Sequence, residues 1–347
     1  MTEVYSDVIQ FRGTHADFGH FQGKKLLSSP LLSNRKKQWG QQKERHFIIN
    51  PETFTELITP IAPAILDEIR GLAKALEMEW EEAIQLFSGY YLEYERSGCS
   101  VYADREYLVR NYDSHPHPYE GRYIFYQPTD GGYATLGPSM QVTGRVDGMN
   151  EKGLVMAYNF THRKQSADGF LCNMIGRLIL ETCKDVNEAV ALLRDIPHRH
   201  SFSYILLDPS GEPYVVEASP RKVVARQSGV CTNHFHLLSE ENRYRQDESR
   251  DREKAIQDEQ QHSTNPYQAF RVMNDPAYDI FSYKYDAAAG TLHTAVYFPE
   301  DMKAWFAIGA DRQPLIFDFQ QWLDGKDTAI SRIRGKIDYP GGFANMV

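Results

Sequence analysis

The order of the predicted elements places this 347-residue chain in the α+β class, with layers of helix and sheet stacked on one another. Three observations lead to this prediction. Helical periodicity dominates residues 1–98, strand patterns dominate the rest, and two helices at 171–183 and 186–196 interrupt the strands. Apolar residues make up 41% of the chain, which is enough to build a packed core.

The N-terminal part is predicted to hold one strand followed by helices. A strand pattern covers 4–11, and Thr14 is suited to cap the helix that follows it. Apolar residues recur near the helical period over 59–76 and again over 79–94. The charged stretch 36–45 is expected to be a solvated helix face.

The C-terminal part is predicted to be mostly strands joined by short turns. The turn at 104–106 is short enough to pair 99–103 with 107–113 as a hairpin, and a second hairpin is expected over 144–160. Further strands are predicted at 203–207, 214–218, 222–226, 230–233, 280–285, 291–298 and 304–308. Asp185 is suited to cap the helix at 186–196, and a short helix is expected at 266–273. The charged run 240–261 is expected to form an exposed helix or loop.

The amino-acid composition argues against nucleic acid and membrane as partners. The 38 basic and 47 acidic residues give a formal net charge of −9, and no basic stripe offsets it, so we expect no nucleic-acid partner. The N-terminus lacks the basic start and apolar run of a signal peptide, and no window has the roughly 18 apolar residues of a membrane helix. We therefore expect a cytoplasmic protein with no membrane partner.

Cys99 is the residue that most clearly indicates chemistry. None of the four cysteines shows CxxC spacing, and Cys172 and Cys183 lie in apolar helical contexts where inert thiols are expected. The predicted hairpin instead returns Arg110 and Asp113 to the side of Cys99. A cation within reach of the thiol is expected to hold it as the reactive thiolate.

A cut between Gly98 and Cys99 would supply both a nucleophile and its base. The new α-amine, with a pKa of about 7.7–8.0, would lie within reach of the thiol. A glycine before the cysteine favours such a cut, because a residue without a Cβ tolerates a strained approach. The nearest histidines, His115 and His117, leave a Cys-His dyad as an alternative.

Four further residues complete the predicted acyl-transfer site. Asp113 would orient the α-amine, and Arg110 would hold the thiolate and the substrate carbonyl region. Asn159 and Asn233 each lie in a strand-like context, and their amide N–H groups are suited to an oxyanion hole.

These residues belong to motifs that occur in a characteristic order. The motifs are Gly98-Cys99-Ser100, Arg110-Asn111-Tyr112-Asp113, Gly148 to Leu154 with Asn159-Phe160, and Thr232-Asn233-His234-Phe235. In this order they resemble N-terminal nucleophile hydrolases of the linear-amide type, and most of all the acyl-coenzyme A:6-aminopenicillanic acid acyltransferase family. Bile salt hydrolases and penicillin V acylases are more distant kin. The resemblance covers nearly the whole chain, from 11–14 to 291–309.

The resemblance implies a fold, a processing step and a set of roles. The fold is a four-layer αββα sandwich with a helical N-terminal segment, cut before Cys99 into chains 1–98 and 99–347 that form one structural unit. Cys99 matches the nucleophile, Arg110 and Asp113 its positioning pair, and Asn159 and Asn233 the oxyanion donors. The family's late serine and arginine, expected to bind substrate, match Ser249 and Arg250, with Arg243 and Arg245 competing for the arginine.

We therefore expect an autocatalytically processed cysteine amidohydrolase or acyltransferase. Its substrate would be a small-molecule linear amide or acyl thioester, and water or an amine would accept the acyl group from an acyl-enzyme. The resemblance implies no organic cofactor and no metal, and similar proteins are commonly dimers or tetramers, so a homo-oligomer fits it.

Three other interpretations stay open. A metal-dependent hydrolase could use the His-x-His pairs 115/117, 198/200 and 234/236, because this spacing puts both imidazoles on one face of a strand. A binding protein could use the same scaffold with a silent nucleophile. The aromatic residues between 119 and 133 could line an acyl pocket, although core packing is their commoner role.

Overall fold

The computed structural model describes residues 1–39, 50–90, 98–161, 166–243, 246–260 and 265–346. Within these ranges the helices are α1 (His15–Leu27), α2 (Leu31–Trp39), α3 (Pro51–Ile58), α4 (Ala64–Leu76), α5 (Trp80–Phe87), α6 (Cys172–Thr182), α7 (Val186–Asp195), α8 (Gln246–Gln260), α9 (Pro266–Asn274) and α10 (Phe319–Leu323). None of these described helices is long and apolar enough to cross a membrane.

Strands make up most of the chain after residue 98. They are β1 (Thr2–Gly13), β2 (Cys99–Ala103), β3 (Leu108–Ser114), β4 (Arg122–Pro128), β5 (Thr135–Met140), β6 (Gly144–Arg145), β7 (Asp147–Asn150), β8 (Val155–Phe160), β9 (Phe202–Leu207), β10 (Tyr214–Ala218), β11 (Val223–Gln227), β12 (Val230–Cys231), β13 (Tyr283–Lys284), β14 (Ala289–Phe298), β15 (Lys303–Ile308), β16 (Leu315–Asp318) and β17 (Arg332–Ile337).

The described strands form two sheets. The ten-stranded sheet has the order β11-β10-β9-β8-β7-β5-β4-β1-β17, with β6 paired to β5. The seven-stranded sheet has the order β12-β2-β3-β14-β15-β16, with β13 paired to β14. Strand β1 pairs in parallel with β4 and antiparallel with β17, so the N-terminal segment is an integral part of the larger sheet.

Helices cover the outer face of each sheet, which gives four layers. On the ten-stranded sheet, α6 packs on β7 and β8 while α7 packs on β10 and β11. On the seven-stranded sheet, α8 packs on β2 and β12 while α9 packs on β3 and β14. The inner faces meet where β2 packs on β8 and β15 packs on β17. The predicted αββα sandwich is thus confirmed.

The main hydrophobic core continues from the space between the sheets to the underside of the outer helices. Val101, Tyr112 and Tyr158 all belong to it, and so does the side chain of Cys99. A second core, with Val109 and Phe270 among its members, lies under α8 and α9. The candidate nucleophile is therefore placed deep in the inner layer.

The N-terminal helices pack unusually closely because glycines face one another across α1 and α4. A Cβ on Gly19 would lie 1.9 Å from the carbonyl oxygen of Glu68, and one on Gly71 would lie 2.2 Å from that of Ala16. This approach brings the Gln22 amide within 2.7 Å of the Glu68 carboxylate. Any larger side chain at either glycine would push the two helices apart.

Several local predictions are confirmed. The Thr14 side chain caps α1 by accepting a hydrogen bond from the Asp17 amide, and Asp185 caps α7 in the same way through Glu188. Strands β2 and β3 form the predicted hairpin, with Cys99 opposite Tyr112.

Other boundaries differ from the predictions. The helix expected over 59–76 begins at Ala64, because proline at 60 and at 63 delays its start. The strand expected over 280–285 is reduced to the two residues of β13. The charged stretch 36–45 reaches the end of α2 at residue 39, and its remainder lies outside the described residues.

The aromatic run has a structural role. Tyr119, Tyr123, Phe125 and Tyr126 are almost completely buried, and all but Tyr119 belong to β4. Tyr123 packs against Phe306 of β15, with ring centroids 4.5 Å apart. Core packing therefore accounts for these four side chains.

Candidate active site

Cys99 is the first residue of β2 and its side chain is fully buried. The hairpin brings Arg110 back beside it, so that Arg110 Nη2 donates to Cys99 Sγ across 3.5 Å. The thiol itself faces the carbonyl oxygen of Asp113 at 3.8 Å. The hairpin thus brings Cys99, Arg110 and Asp113 together, as predicted.

Burial of Cys99 works against the expected thiolate. Burial raises the pKa of the Cys99 thiol above its usual value, and the Asp113 carboxylate adds to this effect. The Arg110 guanidinium lowers the pKa, but its attraction is weaker than the cost of burying the anion. The preformed thiolate stays a prediction, and the depth of the thiol, which cannot be read from sequence, opposes it.

Arg110 is fixed by partners that the sequence did not reveal. Its guanidinium is buried and forms an ion pair with Asp147 of β7, while it also donates to the carbonyl oxygens of Val146 at 2.9 Å and Tyr158 at 2.8 Å. Its charge also lies 4.7 Å above the ring of Tyr112. These contacts hold one guanidinium nitrogen against the Cys99 sulfur.

Asp147 anchors a chain of buried polar groups behind Arg110. The Tyr297 hydroxyl donates to its carboxylate, and His293 Nε2 lies 3.1 Å from it. The Tyr119 hydroxyl lies 2.9 Å from His293 Nδ1 and so extends the chain. Burial opposes ionisation of Asp147, but Arg110, His293 and Tyr297 together outweigh it and keep the pKa of Asp147 below its usual range.

Asp113 is a buried carboxyl group whose pKa lies near neutral pH. Burial raises its pKa to about 7, against the opposing influence of Arg252, Thr291 and Arg110. The Thr291 hydroxyl donates to its Oδ1 at 2.7 Å, and Arg252 Nη1 lies 3.9 Å from its Oδ2. A group with this pKa can change its charge in the pH range where enzymes work.

The two candidate oxyanion donors contact different parts of the site. Asn233 Oδ1 accepts a hydrogen bond from the Cys99 amide at 3.0 Å, and Asn233 Nδ2 donates to the Phe160 carbonyl at 2.8 Å. Asn159 Nδ2 donates to the Cys231 carbonyl at 3.0 Å. Asn159 Oδ1 is buried without a hydrogen-bond partner among the described residues.

An arginine that the sequence analysis overlooked completes the cluster. Arg252 of α8 donates to the Cys99 carbonyl at 2.9 Å, to Ser100 Oγ at 2.8 Å and to Asn233 Oδ1 at 2.7 Å. Arg250, the predicted partner of Ser249, is exposed and donates to Gln246 on the same helix. The structure therefore brings Arg252 rather than Arg250 to Cys99.

Helical spacing would have pointed to this face of α8. The helix buries Ser249, Glu253 and Ile256, which recur at the helical period within the run that was expected to be exposed. Ser249 Oγ accepts a hydrogen bond from the Asn233 amide at 2.7 Å, so it supports one of the site residues directly. Arg243 is exposed, and Arg245 lies outside the described residues.

The other three cysteines are also buried. Burial raises the pKa of Cys183 and of Cys231 to about 12 in each case. Cys172 is also buried. Cys99 is the cysteine whose sulfur accepts from Arg110.

Two of the three His-x-His pairs have structural partners. His115 Nε2 lies 3.1 Å from the Tyr339 hydroxyl, and His117 is exposed beside it. His198 is buried with its Nε2 2.7 Å from the Leu193 carbonyl, and burial lowers its pKa to about 4. The third pair, His234 and His236, contacts Glu253 of α8.

Comparisons with known proteins identify a family for this chain. The sequence model of the acyl-coenzyme A:6-aminopenicillanic acid acyl-transferase family matches residues 101–313. No curated protein matches the sequence.

Among solved structures, penicillin V acylase from Agrobacterium tumefaciens is similar at 17% identity and a TM-score of 0.46, over 65% of this chain and 86% of that one. A mutant conjugated bile acid hydrolase from Clostridium perfringens is similar at 14% identity and a TM-score of 0.39, over 71% of this chain and 98% of that one. The Caenorhabditis elegans ortholog of N-acylethanolamine-hydrolyzing acid amidase is similar at 12% identity and a TM-score of 0.39, over 58% of this chain and 92% of that one.

Proposed function

This chain belongs to the acyl-coenzyme A:6-aminopenicillanic acid acyl-transferase family, and from this membership we propose that it is a self-processing cysteine amidohydrolase or acyltransferase. Its nucleophile is the thiol of Cys99, released as an N-terminal residue when the bond from Gly98 is cut. The observation that carries the proposal is the contact of Arg110 with Cys99 Sγ, beside a backbone amide that is held by Asn233.

The processing step starts with attack of Cys99 Sγ on the carbonyl carbon of Gly98. The peptide C–N bond breaks as the thioester forms, and the thiol proton passes to the departing nitrogen. Water then hydrolyses the thioester, which leaves a carboxylate on Gly98 and restores the thiol. Gly98 is suited to this approach, since a Cβ there would lie only 3.3 Å from the Cβ of Ala289.

The cut removes the obstacle that burial creates. In the uncut chain the raised pKa of Cys99 leaves the thiol protonated, and the adjacent nitrogen is an amide that cannot act as a base. After the cut, that nitrogen is an α-amine with a pKa of about 7.7–8.0, which can take the thiol proton. Asn233 Oδ1 already accepts a hydrogen bond from this nitrogen and would orient the amine.

The same groups support transfer of an acyl group. The thiolate attacks the carbonyl of a linear amide or acyl thioester, and the leaving amine or thiol takes the proton from the α-amine. Each of Asn159 and Asn233 has a second amide N–H to offer the oxyanion. The unpaired Oδ1 of Asn159 supports an amide substrate in particular, because a substrate N–H would satisfy it.

Processing can be tested by intact mass. We expect the expressed chain to appear as two polypeptides, spanning 1–98 and 99–347, and the Cys99→Ala variant as one chain of 39.9 kDa. A panel of N-acyl amino acids, penicillins, bile conjugates and acyl-coenzyme A thioesters would then identify the acyl group, with Cys99→Ala inactive on all of them.

Cys231→Ala is the matched control, because it removes another buried thiol near the site. We expect it to be processed and active. Cleavage that survives Cys99→Ala would show that the thiol does not cut the chain. A single uncut chain that also resists alkylation at Cys99 would favour the binding protein with a silent nucleophile.

A further inference from the structure

A cluster of His234, His236 and Glu253 lies beside the candidate active site and has no part in the proposed reaction. One imidazole nitrogen of each histidine and one carboxylate oxygen of Glu253 lie within 4.8 Å of one another. His236 Nε2 is 2.9 Å from one carboxylate oxygen, and His234 Nε2 is 3.3 Å from the other. From this geometry we propose that the three side chains bind one zinc ion.

The protein holds the two imidazoles in place through the backbone between them. Phe235 is buried, and Asn242 both donates to its carbonyl and accepts from its amide. The amide of His236 donates to the buried carboxylate of Glu217 at 2.8 Å. As a result the rings of His234 and His236 stack, with centroids 4.9 Å apart and planes 29° apart.

A hydrogen-bond chain fixes which nitrogen of His234 carries its proton. The Ser249 hydroxyl donates to Thr232 Oγ1 at 2.9 Å, and its oxygen accepts from the Asn233 amide at 2.7 Å. That oxygen therefore accepts again from His234 Nδ1, which lies 2.8 Å away. When the one N–H of a neutral His234 is at Nδ1, its Nε2 presents a lone pair to Glu253.

A positive charge is needed between that lone pair and the carboxylate. Two electron-rich atoms at 3.3 Å repel one another unless a proton or a cation lies between them. A divalent cation would satisfy both imidazoles and the carboxylate at once.

The donor set favours zinc. Zinc binds imidazole nitrogen and carboxylate oxygen at about 2.0–2.2 Å, so three ligand atoms already within 4.8 Å need only small shifts to surround it. The bond from His234 Nδ1 to Ser249 is the outer-sphere contact that orients metal-binding histidines. His236 is 39% exposed, which leaves an entry path and room for a water ligand.

The zinc ion would tie helix α8 to the segment that follows β12. Glu253 is adjacent to Arg252, and His234 is adjacent to Asn233, so the ion would join the two segments that meet at Cys99. The proposal does not depend on the proposed reaction, because none of the three ligands contacts Cys99 and binding is measured without substrate.

The test is a calorimetric titration of Zn²⁺ into the full-length protein, made without a histidine tag and stripped with a chelator. We expect one zinc per chain and a melting temperature that rises with zinc concentration. His236→Ala should weaken binding by more than about 100-fold, since losing even an outer-sphere partner of a metal ligand costs about 10–100-fold. Glu253→Gln should weaken it similarly while preserving the shape of the side chain.

Two control variants locate the ion. His117→Ala removes the other exposed histidine of a His-x-His pair and should bind zinc like the unchanged chain. Cys99→Ala should also bind it, which separates this site from a zinc-bound thiol. The proposal fails if no stoichiometric zinc binds, if His236→Ala and Glu253→Gln bind it unchanged, or if Cys99→Ala alone abolishes binding.

Discussion

Two groups of buried charges lie on opposite sides of the ten-stranded sheet, and they are balanced differently. On the outer side, Arg177 of α6 forms ion pairs with both Glu68 and Glu181. His15 adds a contact of 2.6 Å to Glu181. On the inner side, Arg110 forms an ion pair with Asp147, and its Nη2 donates to the sulfur of Cys99.

The difference distinguishes a structural network from a chemical one. In the outer network, opposite charges keep Glu181 ionised, with a pKa of about 2. In the inner network, burial raises the pKa of Asp113 to about 7, so this carboxyl group can change charge during a reaction, whereas the raised pKa of the Cys99 thiol opposes its ionisation. Buried charge alone is therefore a poor guide to an active site, whereas buried groups poised near neutrality are a better one.

The largest expected effect is a loss of stability on replacing Arg177 or Arg110, and only the second replacement should also affect processing. Arg177→Met should lower the free energy of unfolding by about 3–5 kcal/mol, because Glu68 and Glu181 would remain buried without their partner. Arg110→Met should destabilise the fold through Asp147 and also abolish processing at Cys99. Denaturant unfolding and intact mass measure the two effects.

Processing per folded molecule is what distinguishes the variants. We expect folded Arg177→Met protein to be cut normally, and the exposed Arg194→Met control to match the unchanged chain in both measurements. Normal processing of Arg110→Met would remove the functional contrast between the two networks.

The next effect concerns pH, and the two networks should respond in opposite directions. Asp113 holds its proton in the folded state up to about pH 7 but loses it near pH 4 when unfolded, so its contribution to stability falls as pH rises from 4 to 7. Glu181 is ionised in the folded state above about pH 2, so its contribution is lost as pH falls below about 4.5.

Substituting Asp113 or Glu181 should remove the pH dependence of the unfolding free energy that each residue causes. Asp113→Asn should remove roughly 2–4 kcal/mol of the variation in unfolding free energy between pH 4 and 7, at ~1.4 kcal/mol per pKa unit. Glu181→Gln should flatten the profile below pH 4.5 instead. Denaturant unfolding across this range provides the measurement, and an unchanged slope above pH 4 in Asp113→Asn would contradict the assignment.

The smallest effect tests which arginine of α8 belongs to the site. Arg252→Ala should reduce the rate of processing or turnover about 10- to 100-fold, because a hydrogen bond from a charged group is worth about 1.5–3 kcal/mol. Arg250→Ala should leave the rate unchanged, since its side chain is exposed and contacts Gln246. Equal losses in the two variants would argue for a general effect of helix charge.

Short-range features of the site could be predicted from sequence. Cys99, Arg110 and Asp113 belong to one hairpin with a short turn, so their proximity follows from local pairing rules. Helix caps at Thr14 and Asp185 were equally predictable, because each depends on a few adjacent residues. Asn159 and Asn233 were found through motif order, and the structure places both around Cys99 or its neighbouring strands.

Sequence alone thus determined the order of the layers, the hairpin that carries the candidate nucleophile, and the histidine pairs. Tertiary structure decided the rest. Helix α8 contains two arginines, Arg250 and Arg252, that look alike in sequence, and only its packing against β2 turns Arg252 toward Cys99, 153 residues away. Likewise only the two-sheet packing buries the thiol and raises its pKa, because desolvation depends on everything that surrounds a group and not on its neighbours along the chain.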